Sequence, residues 1–350
     1  MKCFIKNLLF LSVVAVLAAC ENGGGSLNPP VGDSADVFYV LNSGDWGAAN
    51  SSLTKYDLVT GAAVQNYFEL QNGRRLGDTA NDMIVYGSKI YIAVSGESTI
   101  EVTSLNAKSV KQIECAGQPR YLAAHAGKVY ATYYNGNVAC IDTVTLEVDA
   151  MVGVGRNPEQ LAVYNNRLYV ANSGGMDYNT ELGYDSTVFV IDLPSFTVFE
   201  KIDVVCNPAV VAAGDNGVYV ASYGNYADVP STLQRISADG TVAVVEECSN
   251  MTEFCYSFGS LYGFFSSYDI YWNATITYLS YNLADQSVDT PWIKEDFLPA
   301  PYKVRASGEY ICVTSSDYIN DGDTYLYDTD GMCVCKVPSG LNPIKVVAVK

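Results

Sequence analysis

Aromatic and amide side chains in glycine- and serine-rich segments are the residues of this sequence best suited to binding chemistry. The first such segment, NSGDWGAANSS at 42–52, places Trp46 among glycines and asparagines between two apolar runs. Comparable segments occupy 133–137, 172–186, 222–231, 264–274 and 315–323. Aromatic rings offer a wide contact area at low rotamer cost, and asparagine supplies both donors and acceptors. The combination predicts binding of a partly apolar ligand that carries polar groups.

Catalytic chemistry is poorly supported by the same segments. The single histidine, His125, falls in a predicted tight turn outside them, so they cannot supply a Ser-His-Asp set. Their carboxylates could pair for glycoside hydrolysis, and the acidic stretch 317–323 could hold calcium although it lacks the EF-hand spacing. We predict a protein that is not an enzyme and has no cofactor and no metal; a lyase or glycosidase is the alternative.

The cysteines fit neither a zinc site nor one deducible disulfide pattern. Eight cysteines follow Cys20, at positions 115, 140, 206, 248, 255, 312, 333 and 335. They include no C-x-x-C pair, and with one histidine they do not form a zinc motif. Disulfide bridges, expected in an exported chain, and small buried thiols both remain open.

The N-terminus predicts export and lipid anchoring. Lys2 and Lys6 precede a short apolar run that ends in Leu17-Ala18-Ala19-Cys20, the pattern of a bacterial lipobox. We therefore predict a signal peptide at 1–19, a lipidated Cys20, and a flexible tether at 20–35. With 20 basic and 38 acidic residues, the net charge of −18 disfavours nucleic acid and anionic lipid, so membrane contact is expected through the acyl anchor only.

A repeat of about 45 residues organises the rest of the chain. Its units resemble one another in segments such as GQPRYLAAHAGKVYATYY (117–134) and GRNPEQLAVYNNRLYVANSG (155–174), where alternating apolar residues are bounded by Gly, Asn and Asp. Each unit has the length of four short strands. Seven units predict an all-β fold over 36–350, a seven-bladed β-propeller of four-stranded blades.

The two ends of the repeat indicate how the ring closes. The last segment, GLNPIKVVAV at 340–349, begins a unit that has no continuation, whereas ADVFYVLNSG at 35–44 continues a unit that has no beginning. We therefore expect the C-terminal strand to pair with the N-terminal blade. This pairing would also cover two sheet edges that are otherwise exposed.

The predicted topology collects the aromatic segments on one surface. If strands A to D run from the propeller axis outward, the B–C and D–A connections share one face, named here the B–C face. The long aromatic segments are all B–C connections, whereas His125 falls on the opposite face. The predicted ligand-binding residues are Asn42, Trp46, Tyr134, Asn135, Arg156, Asn157, Asn172, Tyr178, Tyr223, Asn225, Tyr268, Trp272 and Tyr318.

The segment VFYVLNSGDWGAANSSLTKYD (37–57), the 155–174 repeat and the closing 340–349 segment resemble the YncE-like propeller lipoproteins of Bacteroidota. Within that group the chain is similar to the BtuG-type lipoproteins. We expect a monomeric domain, and the resemblance implies that it is lipid-anchored at the cell-surface side of the outer membrane. It implies capture of a corrinoid, cobalamin, as a transported ligand, and its delivery to a TonB-dependent outer-membrane transporter. The alternative is a protein- or carbohydrate-binding propeller associated with another nutrient-uptake system.

Overall fold

The computed structural model describes residues 37–271, 273–296, 298 and 300–349. The predicted signal peptide, lipidated Cys20, the tether and Trp272 lie outside the described residues, so the expectations for them stay predictions. None of the helices in the described part of the chain is both long and apolar enough to cross a bilayer.

The described residues form seven antiparallel sheets of four strands each. The strands of the first four blades are given from the axis outward. Blade 1 has β28 (Pro343–Val349), β1 (Val37–Asn42), β2 (Ser52–Asp57) and β3 (Ala62–Val64). Blade 2 has β4 (Ala80–Tyr86), β5 (Lys89–Val94), β6 (Thr99–Ser104) and β7 (Ser109–Glu114). Blade 3 has β8 (Pro119–His125), β9 (Lys128–Tyr133), β10 (Asn137–Asp142) and β11 (Val148–Gly153). Blade 4 has β12 (Pro158–Tyr164), β13 (Arg167–Asn172), β14 (Thr187–Asp192) and β15 (Thr197–Asp203).

The remaining three blades follow the same order. Blade 5 has β16 (Pro208–Gly214), β17 (Gly217–Ser222), β18 (Thr232–Ile236) and β19 (Val242–Val244). Blade 6 has β20 (Glu253–Ser257), β21 (Ser260–Tyr268), β22 (Ala274–Asn282) and β23 (Val288–Asp289). Blade 7 has β24 (Pro301–Ser307), β25 (Tyr310–Ser315), β26 (Asp321–Tyr327) and β27 (Cys333–Leu341).

The hydrophobic core lies between neighbouring blades. The second strand of each blade is covered on both faces, so it reads as a nearly continuous apolar run, as in KIYIAV of β5. Outer strands such as β7 alternate between partly buried and exposed residues because one face meets water. One core cluster joins Tyr91 and Ile100 of blade 2 to Val129 and Ala131 of blade 3.

The ring closes as the sequence predicts. Strand β28 pairs antiparallel with β1, with Val349 opposite Val37 and Val346 opposite Val40. The innermost strand of each blade contacts that of the next, and β28 contacts both β24 and β4. The predictions of an all-β, seven-bladed propeller and of closure by the C-terminal strand are therefore confirmed.

One element of the fold was not predicted. A six-residue helix, α1 (Tyr67–Asn72), lies between β3 and β4, although the sequence has no helical periodicity there. The helix buries Phe68 and ends at Gly73, which adopts a φ of 67° and donates its N–H to the Glu69 carbonyl. The eight described cysteines are free thiols, which decides between the two alternatives that the sequence left open.

We expect Val346→Asp to destabilise the propeller strongly. Val346 is 1% exposed in the closing strand β28, so the substitution buries a carboxylate without a partner. The free energy of unfolding, measured by urea denaturation, should fall by about 3 kcal/mol or more. Val334→Asp is the matched control, because Val334 is 45% exposed on the outer strand β27 and should change stability by about 0.5 kcal/mol or less. Equal effects of the two substitutions would contradict closure through β28.

Candidate functional site

An open cavity of about 660 Å³ lies on the B–C face between blades 5, 6 and 7. Five tyrosines from the three blades line it: Tyr223, Tyr226, Tyr268, Tyr302 and Tyr318. The volume falls within the range of about 300–1,000 Å³ that is usual for small-molecule pockets. Rings and phenol hydroxyls together offer apolar contact and hydrogen bonding around one space.

A tight turn positions the tyrosine that blade 5 contributes at the mouth of the cavity. The side-chain oxygen of Asn225 accepts hydrogen bonds from the backbone N–H groups of Ala227 and Val229, and its amide donates to Asp228 at 2.7 Å. This Asx turn holds Tyr226 at a positive φ of 56°. Tyr226 is 74% exposed as a result.

Blades 6 and 7 supply the other tyrosines of the cavity mouth. Strands β21 and β22 are nine residues long and extend past the sheet, so that Tyr268 pairs with Ala274 at the tip of the hairpin. In blade 7, the Ser316 hydroxyl accepts the backbone N–H of Tyr318 at 3.0 Å. The Tyr318 ring meets Tyr302 edge to face, with 5.5 Å between the ring centroids.

A buried ionic cluster forms the floor of the cavity. The Glu253 carboxylate of β20 accepts from Lys303 at 3.1 Å and also contacts Arg305, both of which belong to β24. Glu253 and Arg305 are only 4% and 7% exposed. Burial alone would raise the pKa of Glu253, but the two neighbouring cations outweigh it and hold that pKa below its usual value. Glu253 in turn raises the pKa of Lys303 despite the opposing effect of burial, so the cluster is ionised at neutral pH.

A second cavity of about 300 Å³ continues along the propeller axis and is lined by residues from all seven innermost strands. Its polar lining includes Arg305, Asp82 and Lys345. The Lys345 ammonium lies 2.9 Å from Asp82, whose other oxygen accepts the backbone N–H of Leu122 at 2.9 Å. These contacts join blades 1, 2 and 3 across the axis.

A third ion pair joins blades 3 and 4. The Arg120 guanidinium lies 2.6 Å from Glu159 and stacks over the Tyr134 ring, 4.1 Å from its centroid. Glu159 also accepts from the Ser173 hydroxyl at 3.0 Å. Burial alone would lower the pKa of Arg120, but the neighbouring Glu159 raises that pKa above its ordinary value. Tyr134 is therefore held against a cation and lies partly buried.

Residues 36–282 match the family described as a domain of unknown function, DUF5074. The chain belongs to this family. No curated protein matches the chain.

Solved structures resemble this DUF5074 protein in fold. Hydrazine synthase of Kuenenia stuttgartiensis has a TM-score of 0.61 and 16% identity, over 75% of this chain and 86% of that one. Apo AztD from Citrobacter koseri has a TM-score of 0.51 and 10% identity, over 90% of this chain and 98% of that one. The computationally designed protein Ika8 has a TM-score of 0.50 and 14% identity, over 84% and 79%. At these identities the likeness concerns the propeller fold alone.

Three of the predicted ligand-binding residues, Tyr223, Tyr268 and Tyr318, come together in the tyrosine-walled cavity of the DUF5074 propeller. Sequence reasoning missed Tyr302 and the floor residues, because they belong to innermost strands rather than to loops. A signal for Tyr302, Lys303 and Arg305 exists in the segment PYKVRAS, where two basic residues alternate within a strand at the axis of the ring.

Other predicted aromatic residues lie on the same face outside the cavity. Trp46 is 72% exposed in the loop of blade 1. Tyr178 stacks on Tyr184 at 6.3 Å, and Tyr184 meets Tyr226 at 6.2 Å, so a row of rings runs from blade 4 to the cavity mouth. Arg156 holds the loop that carries this row through an ion pair with Asp177 at 2.7 Å and a hydrogen bond to a loop carbonyl at 2.9 Å.

The predicted asparagines mainly hold the backbone of the DUF5074 propeller. Asn42 and Asn172 end the second strands of blades 1 and 4, where they are buried and hydrogen-bond to serine and threonine hydroxyls. Asn135 and Asn157 donate to loop carbonyls at 3.0 and 3.3 Å. Asn225 forms the turn below Tyr226. Of these asparagines, Asn225 fixes a loop that lines the cavity.

His125 and Asp317, which were considered for catalysis and for metal binding, are engaged in other contacts. His125 is partly buried at the end of β8 on the opposite face, 2.9 Å from the Asn166 side chain. The Asp317 carboxylate accepts backbone N–H groups of its own loop, which lowers its pKa to about 2. Within the described ranges, no three His, Cys, Asp or Glu side chains are arranged to hold a metal ion.

We expect Glu253→Gln to destabilise the protein by about 3–5 kcal/mol, because it leaves the buried Lys303 and Arg305 without their carboxylate. Urea denaturation at pH 7 measures the loss. Asp289→Asn is the matched control: it breaks the exposed pair with Lys294 and should cost less than about 1 kcal/mol.

Because the pKa of Glu253 is lowered, the difference in unfolding free energy between wild type and Glu253→Gln depends on pH. The carboxylate stabilises the fold above the ordinary glutamate pKa of 4.5, and this contribution is lost as the pH falls through the lowered folded-state pKa. The difference in unfolding free energy should therefore shrink on acidification. A difference that grows towards low pH would contradict the assignment.

Proposed function

We propose that this protein is a lipid-anchored binding protein that holds a small ligand in the tyrosine-walled cavity without changing it chemically. The observation that carries the proposal is the convergence of five tyrosines from three blades around one cavity of about 660 Å³. Such a lining is typical of recognition sites, where rings supply contact area and a few polar groups fix orientation.

A corrinoid is the ligand class that we favour. Its macrocycle is a broad, partly apolar disc fringed with amides, and the chain resembles the corrinoid-capturing BtuG-type lipoproteins. The mouth tyrosines Tyr226, Tyr268 and Tyr318 are 74%, 61% and 64% exposed, so their rings can lie against one face of a disc. The cavity between them accepts an edge of the disc, where phenol hydroxyls and Lys303 meet its amide groups.

Delivery to a TonB-dependent outer-membrane transporter is the second part of the proposal. Ile270, Tyr271 and Ile319 are 85%, 78% and 80% exposed in the loops beside the cavity. Large apolar side chains grouped around a site favour a protein partner that covers them. A transporter docked on this face would receive the ligand directly, while the acyl anchor at Cys20 keeps the propeller at the cell-surface side of the outer membrane.

A second candidate is a carbohydrate- or protein-binding propeller that serves another nutrient-uptake system. The row formed by Tyr178, Tyr184 and Tyr226 favours it, because stacked rings that continue beyond the cavity suit an extended ligand such as a sugar chain.

Cobalamin titrated into the full-length protein in detergent should release heat and shift the cobalamin absorption spectrum at micromolar concentrations. Tyr318→Ala removes a cavity ring and should weaken binding about tenfold. Tyr271→Ala is the matched control, since Tyr271 is also largely exposed (78%, against 64% for Tyr318) but does not line the cavity. Absence of both heat and spectral shift would refute the corrinoid assignment, and retention of wild-type affinity by Tyr318→Ala would refute the site.

The predicted anchor is tested with Cys20→Ala, which removes the sulfur that carries the lipid. The variant should lose incorporation of labelled palmitate and leave the membrane fraction. Cys206→Ala, which removes a thiol of the propeller, should keep both properties. Palmitate incorporation by Cys20→Ala at the wild-type level would disprove lipidation at this position.

A further inference from the structure

The seven innermost strands carry a net charge of opposite sign to that of the whole chain. The protein has a net charge of −18, yet these strands carry more bases than acids. The bases are Arg120, Lys303, Arg305 and Lys345. The acids are Asp82, Glu159 and Glu253. The axis therefore holds an excess positive charge; His125, the last residue of β8, is left out of this comparison.

The hydrogen-bonded pairs locate this excess. Arg120 has Glu159 as its own partner, and Lys345 has Asp82. Glu253 instead serves two cations, because Lys303 lies 3.1 Å from its carboxylate and Arg305 contacts the other oxygen. One of the two positive charges on β24 consequently lacks a carboxylate of its own.

The tyrosines around Lys303 do not supply the missing negative charge. Tyr302 lies under the Lys303 ammonium, 5.2 Å from the ring centroid, and Tyr223 faces the same cavity. Burial raises the pKa of both phenols above its ordinary value, so they remain neutral. An uncompensated charge in such a site is costly, and a bound anion would remove that cost.

Both cations of β24 border space that a ligand can occupy. Lys303 lines the tyrosine-walled cavity. Arg305, two residues further along β24, lines the axial cavity of about 300 Å³. The two side chains project to the same side of β24, since they are two residues apart. The guanidinium presents several donors in a planar fork, which suits the oxygens of a carboxylate or phosphate.

We propose that the axis of this propeller binds an oxyanion, a carboxylate or a phosphate group, beside the cluster that Lys303 and Arg305 form with Glu253. The negative charge of the bound oxyanion compensates the second positive charge of the cluster, since Glu253 is the one carboxylate that Lys303 and Arg305 share. The site takes a free oxyanion or an oxyanion that belongs to a larger ligand, and its existence does not depend on which ligand occupies the tyrosine-walled cavity.

Inorganic phosphate is the probe for the experiment. Thermal unfolding of the full-length protein in detergent, at constant ionic strength set with chloride, should show a saturable rise of Tm with phosphate concentration. Lys303→Gln and Arg305→Gln should each weaken the apparent phosphate affinity by about tenfold or more. The matched control is Lys336→Gln, which removes a cation of the same blade that is paired with Asp323 on the outside, and it should leave the affinity unchanged.

Stability in phosphate-free buffer provides a readout that does not depend on binding. Lys303→Gln keeps the pair of Arg305 with Glu253, so its Tm should equal or exceed that of the wild type. Arg120→Gln leaves the buried Glu159 without its cation and should lower Tm clearly. The proposal is overturned by a phosphate effect that does not saturate, by one that both β24 variants retain, or by a Tm loss in Lys303→Gln as large as in Arg120→Gln.

Cobalamin, which carries one phosphodiester, distinguishes the two sources of the oxyanion. If phosphate competes with cobalamin, the site holds an oxyanion group of the larger ligand; if phosphate binds equally with and without cobalamin, it holds a free oxyanion. Saturable phosphate binding without cobalamin binding would reject the corrinoid and keep the anion site. Cobalamin binding without any phosphate effect would reject the anion site and keep the corrinoid.

Discussion

The pairing of β28 with β1 is the contact on which the rest of this structure depends. It joins the two ends of the chain within one blade, with Val346 opposite Val40 in the middle of the register. Because the ring is closed by main-chain hydrogen bonds, each innermost strand has a neighbour on both sides, and an open sheet edge is avoided at the seam. The ion pair of Lys345 on β28 with Asp82 on β4 exists only in the closed ring.

Closure also determines what kind of site the protein can build. The tyrosine-walled cavity takes its walls from three consecutive blades that the ring fixes side by side. Its floor is an ionic cluster between two blades, held where water is largely excluded. A rigid scaffold of this kind lets loops of very different length present side chains towards one space. The same geometry brings charges from separate repeats to the axis, where their balance matters more than the net charge of the chain.

Much of the architecture could be predicted because it depends on short-range patterns. Alternating apolar residues, turn residues and a repeat of about 45 residues determine strands and blade number. The helix α1 was not predicted because six residues contain too few turns to produce a helical period in the sequence. Its position after β3 follows from tertiary packing of Phe68, which the local sequence does not encode.

The site was only partly predictable, for a different physical reason. Tyr223, Tyr268 and Tyr318 were predicted from loop composition, and they do meet in one cavity. Loop composition does not distinguish an asparagine that faces a ligand from one such as Asn42, whose amide donates hydrogen bonds to neighbouring hydroxyls. The cluster of Glu253 with Lys303 and Arg305 depends on distances between blades 6 and 7, and no spacing within a single repeat reports those distances.

We propose that a corrinoid binds in the tyrosine-walled cavity on the B–C face. The most direct test is an anomalous difference map, recorded at the cobalt absorption edge, from crystals of the protein grown with cobalamin. We expect one strong cobalt peak beside Tyr268 and Tyr318, between blades 5, 6 and 7. A peak on the opposite face, or cobalamin-containing crystals with no ordered cobalt, would contradict it.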